Sequence, residues 1–207
     1  MQIIKQHLPP TQYFPAKFPK RNIVLHHTVS STARSAMNWW RQTPARIATA
    51  YIIDKAGNVF EMFPPECWAH HLGLNERRNT ALNQQSIGIE LVNEGQLRAR
   101  QDGGYEWNFL GATPAPYSGP APVQQLWRGF DLWAPYTETQ CTAAIELIQQ
   151  LAQQFNIPTR VCPNLDFDRL VNEKYGIYAH CNIRRDKFDV SPAFNLKALH
   201  KLLNPVL

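Results

Sequence analysis

The stretch Asn22-Ile23-Val24-Leu25-His26, followed directly by His27-Thr28, constrains the fold more than any other part of the chain. Its apolar residues are consecutive, with neither the alternation of a half-exposed strand nor the 3,4 spacing of a surface helix. Turn formers precede it and histidines end it, so the segment is predicted to be a short buried strand whose C-terminal end lies at a site.

Other segments fit around such a strand. Residues 49–54 and 59–63 read as two strands joined by Lys55-Ala56-Gly57-Asn58, with Gly57 supplying the positive φ that a tight hairpin often needs. Residues 86–92 read as a strand with Ile87, Ile89 and Leu91 on one face and Glu90 on the other. A short helix is expected over 34–41. A longer one opens at Thr137-Glu138-Thr139-Gln140, which reads as a capping box, and stops at Asn156-Ile157-Pro158. Within it Cys141, Ile145, Ile148, Ala152 and Phe155 recur at helical spacing and predict its apolar face. Two further short helices are expected over 166–174 and 193–203. Residues 1–20, with Pro9, Pro10, Pro15 and Pro19, read as an irregular N-terminal arm. Residues 93–135, rich in glycine, proline and aromatics, read as a long loop insertion. The expected architecture is a single α/β domain over residues 21–207, a central mixed β-sheet flanked by helices.

Composition narrows the class of function. With 44% hydrophobic and 18% charged residues over 207 positions, the chain is not a disordered tail, a collagen or a coiled coil. No apolar run approaches the ~20 residues that span a bilayer, so no membrane span is expected. Lys plus Arg number 21 against 16 Asp plus Glu, a net +5 that suits an anionic partner. The basic residues are scattered and not interleaved with aromatics, so nucleic acid is not the expected partner. No secretory leader is read at the N-terminus, so the expected place of synthesis is the cytoplasm. The four cysteines form no CxxC pair and are expected to be reduced thiols.

Titratable residues gather in His26-His27, His70-His71, Glu90 and the segment from His180 to Asp189. A lone histidine at a strand end is most often a hydrogen-bonded core residue, and only a convergent set makes a metal site. A zinc site needs neutral imidazoles with a carboxylate or thiolate, and a catalytic one keeps a position open for water. His26, His180 and Asp189 supply such a set, the last two nine residues apart at the ends of one polar, turn-like loop.

The motifs, taken in order, resemble a known family. Ile23-Val24-Leu25-His26-His27-Thr28, the 51–59 segment, Ser86-Ile87-Gly88-Ile89-Glu90-Leu91, and His180 followed by Lys187-Phe188-Asp189 are similar to the zinc-dependent N-acetylmuramoyl-L-alanine amidases of the type 2 group. This group is related to phage lysozyme-type amidases and peptidoglycan recognition proteins. The resemblance also takes in Trp68 to Gly73 and 135–140, and runs over about residues 22–200. It implies Zn2+ bound by His26 (not His27), His180 and Asp189, with Glu90 handling the attacking water and Lys187 facing the oxyanion. His71, Arg34, Trp68, Asn83 and Arg184 are then expected along the substrate groove. The implied reaction cleaves the amide between N-acetylmuramic acid and L-alanine in peptidoglycan or muropeptides. A monomer is expected, serving in recycling, as an endolysin delivered by a holin, or as a secreted effector. Four positions depart from the family pattern: Asn182 in the His-x-Asp start of the last loop, Val190 and Ser191 in place of Pro-Gly, and Ala50 in place of a histidine; the last loop is also one residue shorter. The alternative is a non-catalytic muropeptide-binding module. With every ligand position filled, and Glu90 and Lys187 both present, the sequence favours the enzyme.

Overall fold

The computed structural model describes residues 2–75, 77–107, 113–168, 174 and 176–205. In chain order its elements begin β1 (Ile3–Lys5), β2 (Asn22–His27), α1 (Ala33–Gln42), β3 (Tyr51–Ile53), β4 (Val59–Glu61), α2 (Asn79–Gln85) and β5 (Ser86–Leu91). Five short strands follow: β6 (Gln96–Ala99), β7 (Tyr105–Trp107), β8 (Ala115–Tyr117), β9 (Val123–Trp127) and β10 (Phe130–Trp133). The chain continues through α3 (Glu138–Phe155), β11 (Ile177–Ala179), α4 (His180–Ile183) and α5 (Leu196–Leu203).

The main sheet has the order β1-β4-β3-β5-β2-β11. It is mixed: β2 runs parallel to β5 and β11, β3 is parallel to β5, and β3 and β4 form the antiparallel hairpin around Gly57. The consecutive apolar residues of β2 are explained by cover on both faces. Ile23 and Leu25 enter the principal core with α1, α3 and α5 residues, while Val24 joins Leu72, Leu82, Cys162, Tyr178 and Ile183 on the opposite face. A fully buried aliphatic side chain of this kind contributes about 1.5–3 kcal/mol relative to exposure.

Helix α3 starts where its cap predicts, with Thr137 Oγ1 accepting the Gln140 amide at 3.1 Å. The reciprocal half of the capping box is not made. The Gln140 carboxamide is buried and donates instead to the carbonyls of Ile53 and Val92, both at 3.0 Å, pinning the helix start to the ends of β3 and β5. The buried stripe runs through Ala144, Leu147, Ile148 and Leu151, so the predicted Cys141, Ile145 and Phe155 lie at its margin. Asn156 ends the helix in the left-handed region, at φ 52°.

Two expectations are corrected. The first 20 residues are not an irregular arm throughout: β1 pairs in parallel with β4, Leu8 is buried in the principal core, and Phe14 forms a bridge with Trp68. The 93–135 segment is not a loop. Its described residues form a second, antiparallel sheet of order β8-β7-β6-β10-β9 around Leu97, Leu132 and Ala134. The strands are three to five residues long, and β7 is half-buried throughout, so no period-two signal reaches the sequence. At the β9–β10 turn, Arg128 and Gly129 take φ values of 50° and 85°. Left-handed backbone at a non-glycine residue costs about 1–3 kcal/mol.

The helix expected over 166–174 falls mostly on residues outside the described ones. The last helix starts at Leu196, and α2 and α4 were not foreseen. Among the described residues no helix is long and apolar enough to cross a membrane.

Candidate metal centre

Three parallel strands, β5, β2 and β11, end at the same edge of the sheet. The register pairs His26 with Glu90, and Leu25 with Ala179, so His180 follows β11 as the first residue of α4, beside His26. Sites of open α/β sheets form at this carboxyl edge. Asn182, where the sequence departs from the family pattern, fixes the single turn of α4. Its Oδ1 accepts the Ala179 amide at 2.8 Å, and its Nδ2 donates to the carbonyls of Asn164 and Asp166 at 2.9 and 2.8 Å. The Cys181 amide donates to the Asp189 carbonyl at 2.8 Å, which returns the loop to its own start.

This brings three side-chain atoms together. His26 Nδ1 lies 3.0 Å from His180 Nδ1 and 3.1 Å from Asp189 Oδ2, and His180 Nδ1 lies 2.9 Å from the same oxygen. All three residues are buried, and they form a group able to hold a metal ion.

The outer hydrogen bonds settle which ring atoms face inward. His180 Nε2 lies 3.0 Å from the carbonyl of Leu72, an acceptor only, so Nε2 carries a hydrogen and a neutral ring keeps its lone pair on Nδ1. His26 is fixed through a longer chain. The single hydroxyl hydrogen of Ser86 goes to the Leu82 carbonyl at 2.7 Å, so Ser86 Oγ accepts from His71 Nε2 at 3.0 Å. His71 Nδ1 is then the acceptor for His26 Nε2–H, again at 3.0 Å, and the His26 lone pair sits on the inward Nδ1. Burial keeps His26 neutral, its pKa lowered to about 4, and holds His71 well below the ordinary histidine value. Two imidazole lone pairs and a carboxylate oxygen therefore converge without a shared hydrogen, a donor set that fits a cation.

Glu90 is the neighbour of His26 on β5. Burial, and then the charge of Asp189, push its carboxyl up to about 8, against a downward pull from Lys187. Lys187 is half-buried, and its charge reaches both Glu90 and His26. His27 points elsewhere: its Nδ1 lies 3.0 Å from the Tyr136 hydroxyl, which also receives the Ser191 amide at 3.4 Å.

The sequence profile described as N-acetylmuramoyl-L-alanine amidase matches residues 17–192. The chain belongs to this family of peptidoglycan hydrolases. Solved structures with the same fold include the catalytic domain of XlyA, with a TM-score of 0.58 and 15% identity, covering 98% of this chain and 99% of that one. The Clostridium intestinale URNW endolysin LysCS gives a TM-score of 0.58 at 14% identity, over 98% and 95% of the two chains. Escherichia coli AmiD, in complex with anhydro-N-acetylmuramic acid-L-Ala-D-gamma-Glu-L-Lys, gives 0.58 at 19% identity, over 91% of this chain and 59% of that one. A comparison with curated proteins found no significant match.

Within this amidase the other residues expected along the groove are dispersed. His71 backs His26 of the candidate metal group, as described. Trp68 is withdrawn from the surface: it is buried and stacked on Phe14 at 3.9 Å between ring centroids. Asn83 is also buried, and its Oδ1 accepts the amides of His71 and Leu72 at 2.8 and 3.1 Å, so it shapes the segment behind the site. Arg34 lies on the exposed face of α1 in a cleft with Met37, Arg41 and Lys55, which none of the three metal-site residues lines. Arg184 borders a cleft beside the loop, with Gly73, Arg78 and Arg185, and is paired to Asp186 at 2.8 Å.

Ser86 was missed as a site residue although it opens the Ser-Ile-Gly-Ile-Glu motif. Gly88 of that motif has a steric role: a Cβ there would stand 2.8 Å from Thr49 Cγ2 and 3.1 Å from His71 Nδ1, displacing the ring that orients His26.

Proposed function

We propose that this amidase is zinc-dependent, with His26 Nδ1, His180 Nδ1 and Asp189 holding the ion, and that it hydrolyses the amide between N-acetylmuramic acid and L-alanine. The observation that carries this reading is the inward convergence of three hydrogen-free acceptor atoms at 2.9–3.1 Å. Zinc bonds of about 2.0–2.1 Å in a tetrahedron separate ligand atoms by roughly 3.3 Å, so a small outward adjustment of the three suffices. When bound, zinc supplies Lewis acidity, polarising a carbonyl and making water acidic near neutral pH.

The protein groups divide the remaining work. The Glu90 carboxyl, paired with His26 at the strand ends, is the group placed to take a proton from the attacking water and return it to the leaving amine. Lys187 presents an ammonium to the oxyanion, where one donor is worth ~2.7–4 kcal/mol. The net charge of +5 suits a substrate whose stem peptide carries free carboxylates. The substrate is the peptidoglycan of the cell wall or its soluble muropeptides, a reading supported by the endolysins and by the AmiD complex among the similar structures.

The test is release of free stem peptide from purified muropeptides by the protein as isolated, after chelation, and after zinc is restored. The expected result is release that stops on chelation and returns with zinc. Binding without release by zinc-loaded protein would establish the non-catalytic module instead.

A further inference from the structure

The second sheet meets the loop of the candidate metal site around the β9–β10 turn. Trp127 and Phe130 pair across it, and Arg128-Gly129 forms the two-residue connection with both residues at positive φ. A turn of this kind favours Asn-Gly, because a left-handed first position is strained for a long side chain. Arginine here is a local conflict, and such conflicts concentrate where the side chain has a further task.

The task is visible in the contacts. Arg128 Nη1 donates to the Arg185 carbonyl at 2.7 Å and to the Lys187 carbonyl. The guanidinium lies over the Trp127 ring at 4.5 Å and the Phe188 ring at 5.7 Å. Phe188 in turn meets Trp127 and Phe130 edge-on, at 5.8 and 5.7 Å between ring centroids. The loop residues on either side of Phe188 are Lys187 and Asp189. The hairpin therefore holds the loop by two carbonyls and one aromatic side chain, while the two neighbouring side chains serve the site.

We infer that Arg128 is a positioning residue that fixes the backbone of residues 185–188 and so keeps Lys187 and Asp189 in place, making the second sheet part of the catalytic apparatus. Its effect on metal and turnover rests on the roles proposed above for those two residues. Its effect on the loop does not.

Arg128→Asn separates the turn from the side chain, since asparagine suits the left-handed position and lacks the guanidinium. Arg128→Gly does the same by another route. The full-length variants are compared with the parent by amide hydrogen exchange over residues 181–191, by zinc affinity in chelator competition, by melting temperature, and by kcat and KM on muropeptides. The Cys181, Arg184 and Lys187 amides are bonded within this loop and report its order. The expected result is a melting temperature equal to or above the parent's, with loop exchange at least about tenfold faster. Zinc affinity and kcat fall by about 10–100-fold, the range for residues that orient metal ligands, while KM changes little. Arg128→Lys, with one ammonium for two carbonyls, recovers part of the loss. Unchanged loop exchange in both variants would overturn the inference, whatever the melting temperature. If the parent neither binds zinc nor cleaves muropeptides, the functional reading fails, and loop exchange in the two variants still decides the role of Arg128.

Discussion

His26 Nε2 lies 3.0 Å from His71 Nδ1, and this one contact aims the lone pair of His26 Nδ1 at His180 and Asp189. The direction is imposed from Ser86, whose hydroxyl spends its hydrogen on Leu82 and can only accept from His71. A histidine of the candidate metal centre is thus oriented by a chain of hydrogen bonds that ends on a helix carbonyl.

Ser86→Ala removes the acceptor that fixes the His71 tautomer. Zinc affinity is expected to fall by about 10–100-fold, as for other partners that orient metal-binding histidines. The buried His71 N–H left without a partner adds a stability cost of about 1–3 kcal/mol. Chelator competition and urea unfolding measure the two effects separately.

Glu90 makes the metal-free protein sensitive to pH. Its carboxyl titrates near 8 in the folded chain against 4.5 for the free group, so the folded state binds the extra proton between those values. The stability it contributes is fully present below pH 4.5 and is lost as pH rises through 8, at about 1.4 kcal/mol per pH unit within the window. Chelated Glu90→Gln should therefore gain stability relative to the parent from pH 4.5 to 8 in urea titrations. A constant difference across that range would contradict the buried placement of the carboxyl.

Lys20 gives the opposite slope at higher pH. Its ammonium is buried against the carbonyls of Cys67, Gln84 and Ser86, and burial lowers its pKa from 10.5 to about 8. Between 8 and 10.5 the unfolded chain holds a proton that the folded chain has lost, so this group favours folding increasingly as pH rises. Lys20→Met is expected to remove that rise when parent and variant are unfolded in urea at pH 8, 9 and 10.

What the sequence made legible depended on how local the signal was. Strand β2 could be read because burial on both faces leaves an uninterrupted apolar run, and Thr137 because a cap acts three residues away. The three residues of the candidate metal centre could be read because ordered motifs carry them. The role of His71 could not, since its partners lie 45 and 15 residues away and only the assembled sheet edge brings them together. Gln140 looked like half of a capping box, but tertiary contacts with the ends of β3 and β5 claimed its side chain. Trp68 was expected along the substrate groove, but Phe14, from a segment read as an irregular arm, covers it. The second sheet was hidden because its short, half-exposed strands have the composition of a loop, and with it the grip of Arg128 on the carbonyls of residues 185 and 187.

The assignment of His26, His180 and Asp189 to zinc, and of Glu90 to the water, is tested most directly by counting zinc per chain alongside muropeptide cleavage in the parent, Asp189→Ala and Glu90→Gln. The predicted result is one zinc and cleavage in the parent, zinc retained with most turnover lost in Glu90→Gln, and both lost in Asp189→Ala. Full zinc occupancy in Asp189→Ala, or equal loss of zinc in the two variants, would contradict it.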